Sequence, residues 1–216
     1  GELIRESGIP YGVVNIVTGF GSTAGAALAS HSGVDKIAFT GSTETGKRIA
    51  QASLGNLKRV SLELGGKAPA IVMADADLNL AVKAIRASRI INTGQVCNCA
   101  ERVYVQESVA SEFTARMIAA MKQTVVGDPF DPATEMGPLV SSKQLEAVSA
   151  AVDRARRDGA KLELGGARHD SKKGYYFQPT VLTGCRQDSD IMQKEIFGPV
   201  LPIATFKTLD EAIDCA

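Results

Sequence analysis

The chain has 216 residues, of which 44% are hydrophobic and 22% are charged, a composition typical of a globular protein with a sizeable core. Its 24 basic and 24 acidic side chains balance, which argues against a nucleic-acid-binding protein and against docking on membranes through a basic surface. No apolar run approaches the roughly 20 residues of a membrane-spanning helix, and no secretory signal opens the chain. A first residue other than Met suggests an artificial start, a processed chain or a fragment.

The cysteine content is low and indicates reduced thiols. The four cysteines are Cys97, Cys99, Cys185 and Cys215, a density too low for a disulfide scaffold. The Cys97-x-Cys99 pair lacks the two-residue spacing of a zinc site, and neither histidine shows ligand spacing to it. We therefore expect no metal site and a reducing, cytoplasmic compartment.

The first third of the sequence alternates strand-like and helix-like runs separated by glycine-rich turns. In chain order we predict a helix Glu2–Ser7 closed by Gly8, a buried strand Val13–Val17, a glycine turn Thr18–Gly25 with a helix Ala26–Ser30, a strand Lys36–Phe39, a helix Lys47–Ser53 and a strand Val60–Leu64. This succession is typical of βαβ units, so the sequence predicts an α/β fold with a parallel sheet. Gly65-Gly66 ends the last of these strands, and we place a domain boundary there, between residues 1–65 and 66–216.

The remainder of the chain again alternates helices with strands. A long apolar helix, Leu78 to Ile91, follows an N-cap at Asp75 or Asp77, is expected to be buried on most faces, and ends at a C-cap at Gly94. We further predict an apolar run Pro69–Met73, strands Arg102–Gln106, Lys161–Leu164, Thr180–Thr183 and Val200–Phe206, a helix from a cap at Ser108 to Gln123 with Phe113, Met117 and Met121 inside, a helix Ser142–Arg157, a charged loop Arg168–Tyr175 and a capping box Thr208–Glu211.

Two side chains at the ends of predicted elements are candidates for chemistry. Cys97 lies on the turn after the long helix, where a scaffold could present a nucleophile; the alternative is a buried core thiol, the commoner fate of a lone Cys. Glu63 lies between two leucines at a strand end, where ligands of α/β sheets bind, and partial desolvation there would suit a general base. The alternative for Glu63 is an exposed surface carboxylate.

Two further segments have features of nucleotide binding. Gly41-x-x-x-x-Gly46 follows a strand and opens a helix, whose N-terminus presents free N–H groups to a phosphate. A plain structural turn fits that spacing at least as well, since neither the dinucleotide fingerprint nor the P-loop motif is present. Glu195 and Phe197 offer a carboxylate for a ribose and a ring for a flat base; the alternative is a helix end and a core Phe.

Together these residues resemble the NAD(P)-dependent aldehyde dehydrogenase superfamily. The motifs that carry the resemblance are the glycine turn Gly19–Gly25, the phosphate-binding turn Phe39–Gly46, the glutamate motif Glu63–Lys67, the cysteine motif Gly94–Cys97 and the segment Glu195–Pro199. The amino-acid sequences of residues 66–73 and 94–105 resemble those of the bacterial lactaldehyde and glycolaldehyde dehydrogenase branch.

The resemblance implies a fold and a set of roles. Residues 1–65 would be the C-terminal part of a Rossmann-type NAD-binding domain, and residues 66–216 an α/β catalytic domain truncated at its C-terminus. Cys97 would be the nucleophile, with Cys99 the less favoured thiol, and Glu63 the base that activates water. Residues implied in NAD binding are Gly41, Ser42, Gly46, Leu64, Gly65, Glu195 and Phe197, and Gln144 is expected near the adenosine ribose.

The implied reaction is oxidation of a small aldehyde, lactaldehyde or glycolaldehyde, to its acid with NAD. A CoA-acylating semialdehyde dehydrogenase is the alternative enzyme, which Glu63 in its full motif disfavours. Family chains are longer, so the resemblance also implies a fragment, and a catalytically inactive structural fragment is a further alternative. We expect no nucleic-acid or membrane partner, and a parent enzyme that forms homo-oligomers.

Overall fold

The computed structural model describes residues 1–169 and 174–216, which form two compact units, Gly1–Gly65 (unit 1) and Gly66–Ala216 (unit 2). Their assignment as cofactor and catalytic domains stays a prediction. Part of the predicted loop Arg168–Tyr175, namely residues 170–173, lies outside the described residues. Across the described ranges, no helix is both long enough and apolar enough to cross a membrane.

Unit 1 is organised around one βαβ unit. Its elements are α1 (Glu2–Glu6), α2 (Ala26–Ser30), β1 (Lys36–Thr40), α3 (Thr43–Ser53) and β2 (Arg59–Glu63), with a π-helical turn, Gly21–Gly25, before α2. Strands β1 and β2 pair in parallel, and Thr40 lies opposite Glu63 at their carboxyl ends. This pairing confirms the predicted parallel arrangement for the second of the two strand–helix–strand runs.

The predicted buried strand Val13–Val17 is wrong. This run forms no strand, and the side chains of Val13, Ile16 and Val17 are 64–70% exposed. Branched side chains favour an extended backbone, but a strand also needs a neighbouring backbone to pair with. Within the described unit 1, the sheet ladder joins β1 only to β2.

Helix α3 begins at Thr43, earlier than the predicted start at Lys47. Ser42 caps it, because the Ser42 Oγ accepts a hydrogen bond from the Thr45 N–H at 3.3 Å. Gly46 therefore lies inside the helix. Glycine is a weak helix former, which is why the sequence pattern placed the helix start after it.

Unit 2 is a mixed α/β unit whose described residues form a five-stranded sheet. Its strands are β3 (Pro69–Val72), β4 (Arg102–Gln106), β5 (Lys161–Leu164), β6 (Thr180–Thr183) and β7 (Val200–Phe206). They lie in the order β3-β4-β7-β6-β5, and neighbours are parallel except β5, which runs antiparallel to β6. The positions of these strands confirm the predicted alternation.

The helices of unit 2 start at the residues that cap them. They are α4 (Leu78–Ile90), α5 (Glu107–Lys122), α6 (Ser142–Arg157), α7 (Asp190–Gln193) and α8 (Leu209–Cys215). The Asp77 carboxylate caps α4, and the Ser141 and Thr208 hydroxyls cap α6 and α8. The predicted cap at Ser108 is wrong, since α5 starts at Glu107 without a side-chain cap.

Side chains of β4 alternate between two cores, because successive residues of a strand point to opposite faces of its sheet. The first core holds the β4 residues Val103 and Val105 and the predicted inner stripe of α5, Phe113, Met117 and Met121. Tyr104 belongs to the second core, to which α6 contributes Leu145, Val148, Val152 and Ala155. Helices therefore cover both faces of the sheet, as in other α/β proteins.

Helix α4 buries only one face. The apolar composition of this helix predicts burial on most faces, and that prediction is wrong. Val82, Ile85 and Ile90 enter the first core, whereas Leu80 is 64% exposed. Arg89, one turn after Ile85, lies on the buried face. Helical periodicity, and not overall apolarity, decides which side chains are buried.

Met117→Ala should lower the free energy of unfolding by about 2–5 kcal/mol, because truncating a fully buried side chain leaves a cavity. The control Leu80→Ala removes an exposed side chain and should change it by less than about 0.5 kcal/mol. Urea unfolding followed by circular dichroism measures both. Equal midpoints for the two variants would contradict the assignment of the core.

Candidate active site

The turn that carries Cys97 begins with an unusual backbone. After α4, the residues Asn92, Thr93 and Gly94 have positive φ values of 47°, 59° and 73°. The predicted C-cap at Gly94 is wrong, because α4 ends at Ile90 and its C-cap is Ile91. A Cβ at Gly94 would lie 2.4 Å from the carbonyl oxygen of Gly198, so the close approach of these two chain segments requires glycine.

Side-chain hydrogen bonds hold this left-handed stretch. Asn92 and Gln95 bridge each other, since the side-chain amide of each donates to the backbone carbonyl of the other at 3.0 Å. The Thr93 hydroxyl donates to the Gly137 carbonyl at 3.0 Å, and the Gln95 Oε1 accepts from the Val140 N–H at 2.9 Å. The start of the turn is thereby tied to the loop before α6.

The two cysteines of the turn have different surroundings. Cys97 is exposed, whereas Cys99 is 1% exposed and its thiol donates to the Val96 carbonyl at 2.9 Å. Burial raises the pKa of Cys99, which lowers its thiolate fraction at neutral pH. The interpretation as a buried core thiol therefore applies to Cys99 and not to Cys97.

A buried carboxylate, Glu101, lies between two cations directly after this turn. Its Oε1 is 3.3 Å from the Arg89 Nη1, and its Oε2 is 2.9 Å from the Lys67 Nζ. The side chains of Arg89 and Glu101 are 0% and 1% exposed. Burial lowers the pKa of the Lys67 ammonium, and the neighbouring Glu101 carboxylate opposes that shift. We call Arg89, Glu101 and Lys67 the buried ion cluster.

Arg89 holds both ends of the turn. Its Nη2 donates to the Gly94 carbonyl at 2.6 Å, before Cys97, and its Nη1 donates to the Ala100 carbonyl at 3.2 Å, after Cys97. Because the guanidinium is planar and rigid, these two bonds fix the distance between the ends of the turn. The position of Cys97 therefore depends on a side chain that does not touch it.

The segment Glu195–Pro199 is attached to the same cluster. Glu101 accepts hydrogen bonds from the N–H groups of Ile196 and Phe197, each at 3.3 Å. From another direction, the Gln144 Nε2 donates to the carbonyl oxygens of Ile196 and Phe197 at 3.1 and 2.9 Å. The Gln144 amide nitrogen is thus engaged in supporting this segment, and the expected approach of Gln144 to a ribose stays a prediction.

Glu195 and Phe197 are half-buried and belong neither to a helix end nor to the core. Helix α7 ends at Gln193, and Phe197 has a left-handed φ of 52°. The Glu195 Oε1 accepts a long hydrogen bond from the Gly66 N–H at 3.4 Å, and partial burial raises the pKa of the Glu195 carboxyl group. A Cβ at Gly66 would also lie 3.4 Å from the Cys97 carbonyl oxygen, so Gly66 neighbours both candidate segments of unit 2.

In unit 1, Glu63 is the last residue of β2 and its side chain is exposed. Its carbonyl oxygen accepts a hydrogen bond from the Gly41 N–H at 3.0 Å, which joins the glutamate motif to the glycine turn. The partial desolvation expected for the Glu63 carboxylate is not found in the structure. Its role as a base stays a prediction.

The glycines of the unit 1 turn are explained by packing. A Cβ at Gly46 would lie 2.6 Å from the Leu64 Cδ2, and one at Gly41 would lie 2.5 Å from the Phe39 ring. Gly65 follows Leu64 in sequence and is the last residue of unit 1. These contacts account for the glycine spacing without a ligand, while Ser42 leaves the N-terminus of α3 capped by a side chain. Binding of a phosphate at this turn stays a prediction.

Sequence reasoning missed the buried ion cluster. Two signals were present: Arg89 shares the apolar face of α4 with Val82 and Ile85, and Glu101 lies just before β4, whose three central residues are apolar and buried. A charged side chain at such a position indicates a buried pair, because unpaired charges are almost never fully buried. Among the described residues, no group of three or more His, Cys, Asp or Glu side chains is placed to hold a metal ion.

Comparison with known proteins gives matches over the whole chain. The model of the aldehyde dehydrogenase family matches residues 1–216. Human retinal dehydrogenase 2 is 50% identical over 217 residues, which cover 100% of this chain and 42% of that protein.

Solved structures agree with these sequence matches. Lactaldehyde dehydrogenase from Escherichia coli has a TM-score of 0.96 at 49% identity, covering 99% of this chain and 45% of that one. Betaine aldehyde dehydrogenase from Staphylococcus aureus, in complex with NAD+, has a TM-score of 0.96 at 39% identity, covering 99% of this chain and 43% of that one. The chain thus spans less than half the length of these relatives.

In the native chain, iodoacetamide should modify Cys97 well before Cys99 and Cys185, because only the first of these three thiols is exposed. Peptide mapping after short treatment at neutral pH measures each site. Burial raises the pKa of Cys99, and that of Cys185 to about 12, so both should stay slow until the pH exceeds the ordinary range of a thiol.

The control for this experiment is Cys97→Ser. This variant should lose the fast modification while labelling of Cys215, which is partly exposed, continues unchanged. Fast modification of Cys99 in the native chain would show that the burial seen in the structure does not protect it.

Proposed function

This chain belongs to the aldehyde dehydrogenase family, and from that premise we propose that it oxidises a small aldehyde to the carboxylic acid with NAD as hydride acceptor. One observation carries the proposal: the thiol of Cys97 is exposed on a rigid turn, while the neighbouring Cys99 is buried and engaged. Exposure and a fixed backbone are what a nucleophile needs in order to meet a carbonyl carbon.

In the first step, the Cys97 thiolate attacks the aldehyde carbon. The new C–S bond leaves a negative charge on the aldehyde oxygen, which an N–H donor must stabilise. Within the described part of the chain, the Cys97 N–H donates to no acceptor, so it is free to serve as that donor. The same residue would then supply both the nucleophile and one hydrogen bond to the oxyanion.

In the second step, hydride leaves the same carbon and a thioester to Cys97 remains. Bound NAD supplies the hydride acceptor for this step. Water then attacks the thioester carbon while Glu63 takes a proton from it, the C–S bond breaks, and the acid leaves with the Cys97 thiolate restored. Glu63 is proposed for this role because its carboxylate is exposed at the end of a parallel strand.

Each unit offers residues that fit parts of the cofactor. In unit 1, the N-terminus of the 11-residue helix α3, with Gly41 and Ser42 before it, suits a phosphate. Gly46 lets Leu64 pack against that first turn. In unit 2, the half-buried Glu195 carboxylate can accept hydrogen bonds from ribose hydroxyls, and Phe197 presents a half-exposed ring.

The proposed substrate is a small hydroxyaldehyde such as glycolaldehyde or lactaldehyde. Support comes from the residue sequence of the motifs around Cys97 and from the 49% identity to E. coli lactaldehyde dehydrogenase. Human retinal dehydrogenase 2 is as similar, at 50% identity, so the preference must be measured with small and large aldehydes side by side.

One observation favours the second candidate, a catalytically inactive fragment. In the described structure of unit 1, the sheet has two parallel strands, and the large apolar side chains Tyr11 and Phe20 are 95% and 80% exposed. Parallel sheets normally have both faces covered, so unit 1 has little core of its own to hold Glu63 and Ser42 in place.

The chain incubated with NAD and glycolaldehyde should form NADH, and Cys97→Ala should abolish the reaction because no other thiol is placed to replace it. Glu63→Gln should slow turnover by about 10²–10⁴-fold, since the thioester would persist without a base. NADH absorbance measures turnover, and mass spectrometry of the intact protein detects the acyl group on Cys97. Retinal in place of glycolaldehyde tests the proposed substrate size.

The matched control is Cys215→Ala, which removes a thiol outside the candidate site and should leave the rate unchanged. No NADH from the unmodified chain would favour the inactive fragment. Acyl-CoA formed on addition of CoA would overturn hydrolysis in favour of the CoA-acylating alternative.

A further inference from the structure

We propose that Glu101 is a positioning residue, which fixes the Cys97 turn and the Glu195–Pro199 segment on one buried carboxylate. This inference rests on the proposed function, in which the turn carries the nucleophile and the segment binds the ribose beside the reacting end of NAD. The Glu101 side chain is buried and engaged by these segments, so its contribution would be their relative placement and not contact with a reactant.

The four partners of Glu101 divide evenly between its two oxygens. Oε1 forms an ion pair with the Arg89 guanidinium and accepts a hydrogen bond from the Phe197 N–H, each at 3.3 Å. Oε2 accepts from the Lys67 ammonium at 2.9 Å and the Ile196 N–H at 3.3 Å. Each oxygen therefore joins one buried cation to one backbone group of the segment.

Arg89 extends this arrangement to the nucleophile. The guanidinium that meets Glu101 also binds the carbonyl groups of Gly94 and Ala100, at the two ends of the turn. A displacement of the carboxylate would therefore be transmitted to the turn through one rigid planar group. Two side chains, those of Glu101 and Arg89, connect the Phe197 N–H to the Gly94 carbonyl.

Only an ionised carboxylate satisfies this site. It accepts at both oxygens and donates nothing, whereas glutamine offers one acceptor oxygen and an NH₂ group that would face two donors. Glu101→Gln also strands the buried charges of Arg89 and Lys67, so it lowers stability as well as altering geometry. A test must separate these two effects.

The test is hydrogen exchange of the ligand-free chain, resolved on peptides that cover residues 92–100 and 195–199. In Glu101→Gln, exchange should become roughly ten- to hundredfold faster in both peptides, as loss of a charge-assisted hydrogen bond implies.

The matched control is Glu135→Gln. Glu135 also pairs with an arginine, Arg86 at 2.7 Å, and accepts from the Val125 N–H at 3.0 Å, but its side chain is partly exposed and remote in sequence from both peptides. This control should leave both peptides unchanged.

The double variant Lys67→Met/Glu101→Gln separates positioning from stability. It removes the stranded ammonium, while Arg89 keeps its two carbonyl acceptors. We expect the urea midpoint to recover part of the loss caused by Glu101→Gln, with both peptides still exchanging fast. Recovery of protection together with the midpoint would overturn the proposal, because the role of Glu101 would then be charge balance alone.

Further outcomes also decide the proposal. Faster exchange in only one peptide, or a uniform increase over the whole core, would overturn it. Turnover adds a readout of the coupling: Glu101→Gln should raise KM for NAD and lower kcat, with Glu135→Gln unaffected. If both peptides loosen together but the unmodified chain forms no NADH, the positioning role stands and the proposed dehydrogenase activity fails.

Discussion

The candidate site of unit 2 depends on the burial of one negative charge, that of Glu101. Removing a carboxylate from water costs several kcal/mol after relaxation, and the cost is offset only if every acceptor position is filled with good geometry. Here the partners of the carboxylate come from three parts of the chain: the Arg89 charge from α4, the Lys67 ammonium from the segment before β3, and the Ile196 and Phe197 N–H groups from the segment before β7. Few arrangements satisfy all of them together, so the electrostatic requirement becomes a geometric one.

Backbone strain is concentrated in the two segments that this cluster holds. Asn92, Thr93 and Phe197 have left-handed φ values without being glycine, and each costs of order 1 kcal/mol or more relative to a relaxed conformation. Such a backbone persists only where neighbouring contacts over-determine it. In the Cys97 turn these contacts are the amide bridge between Asn92 and Gln95, the hydroxyl bond of Thr93 and the two carbonyl contacts of Arg89. At Phe197 they are the hydrogen bonds to Glu101 and Gln144.

How much of this was predictable depends on the range of the interaction. The bounds of α6 and β4 were predicted correctly, because alternation and helical periodicity are local in sequence. The strand expected at Val13–Val17 failed, since pairing requires a partner that periodicity does not reveal. The buried ion cluster was missed for the same reason. Lys67, Arg89 and Glu101 lie in separate parts of the chain, and only the fold brings them together. The exposure of Glu63 likewise depends on what packs around a strand end.

The different exposure of the Cys97 and Cys99 thiols shows how these constraints affect the proposed chemistry. The two thiols are chemically identical and two residues apart, so no property of the side chain distinguishes them. Their difference arises from the path of the turn, which buries Cys99 against the Val96 carbonyl and leaves Cys97 exposed with a free N–H group. That path is set at its ends by Arg89, which Glu101 in turn orients. In the proposed function, the choice of nucleophile is therefore a consequence of backbone geometry, which the buried Glu101 carboxylate supports through Arg89.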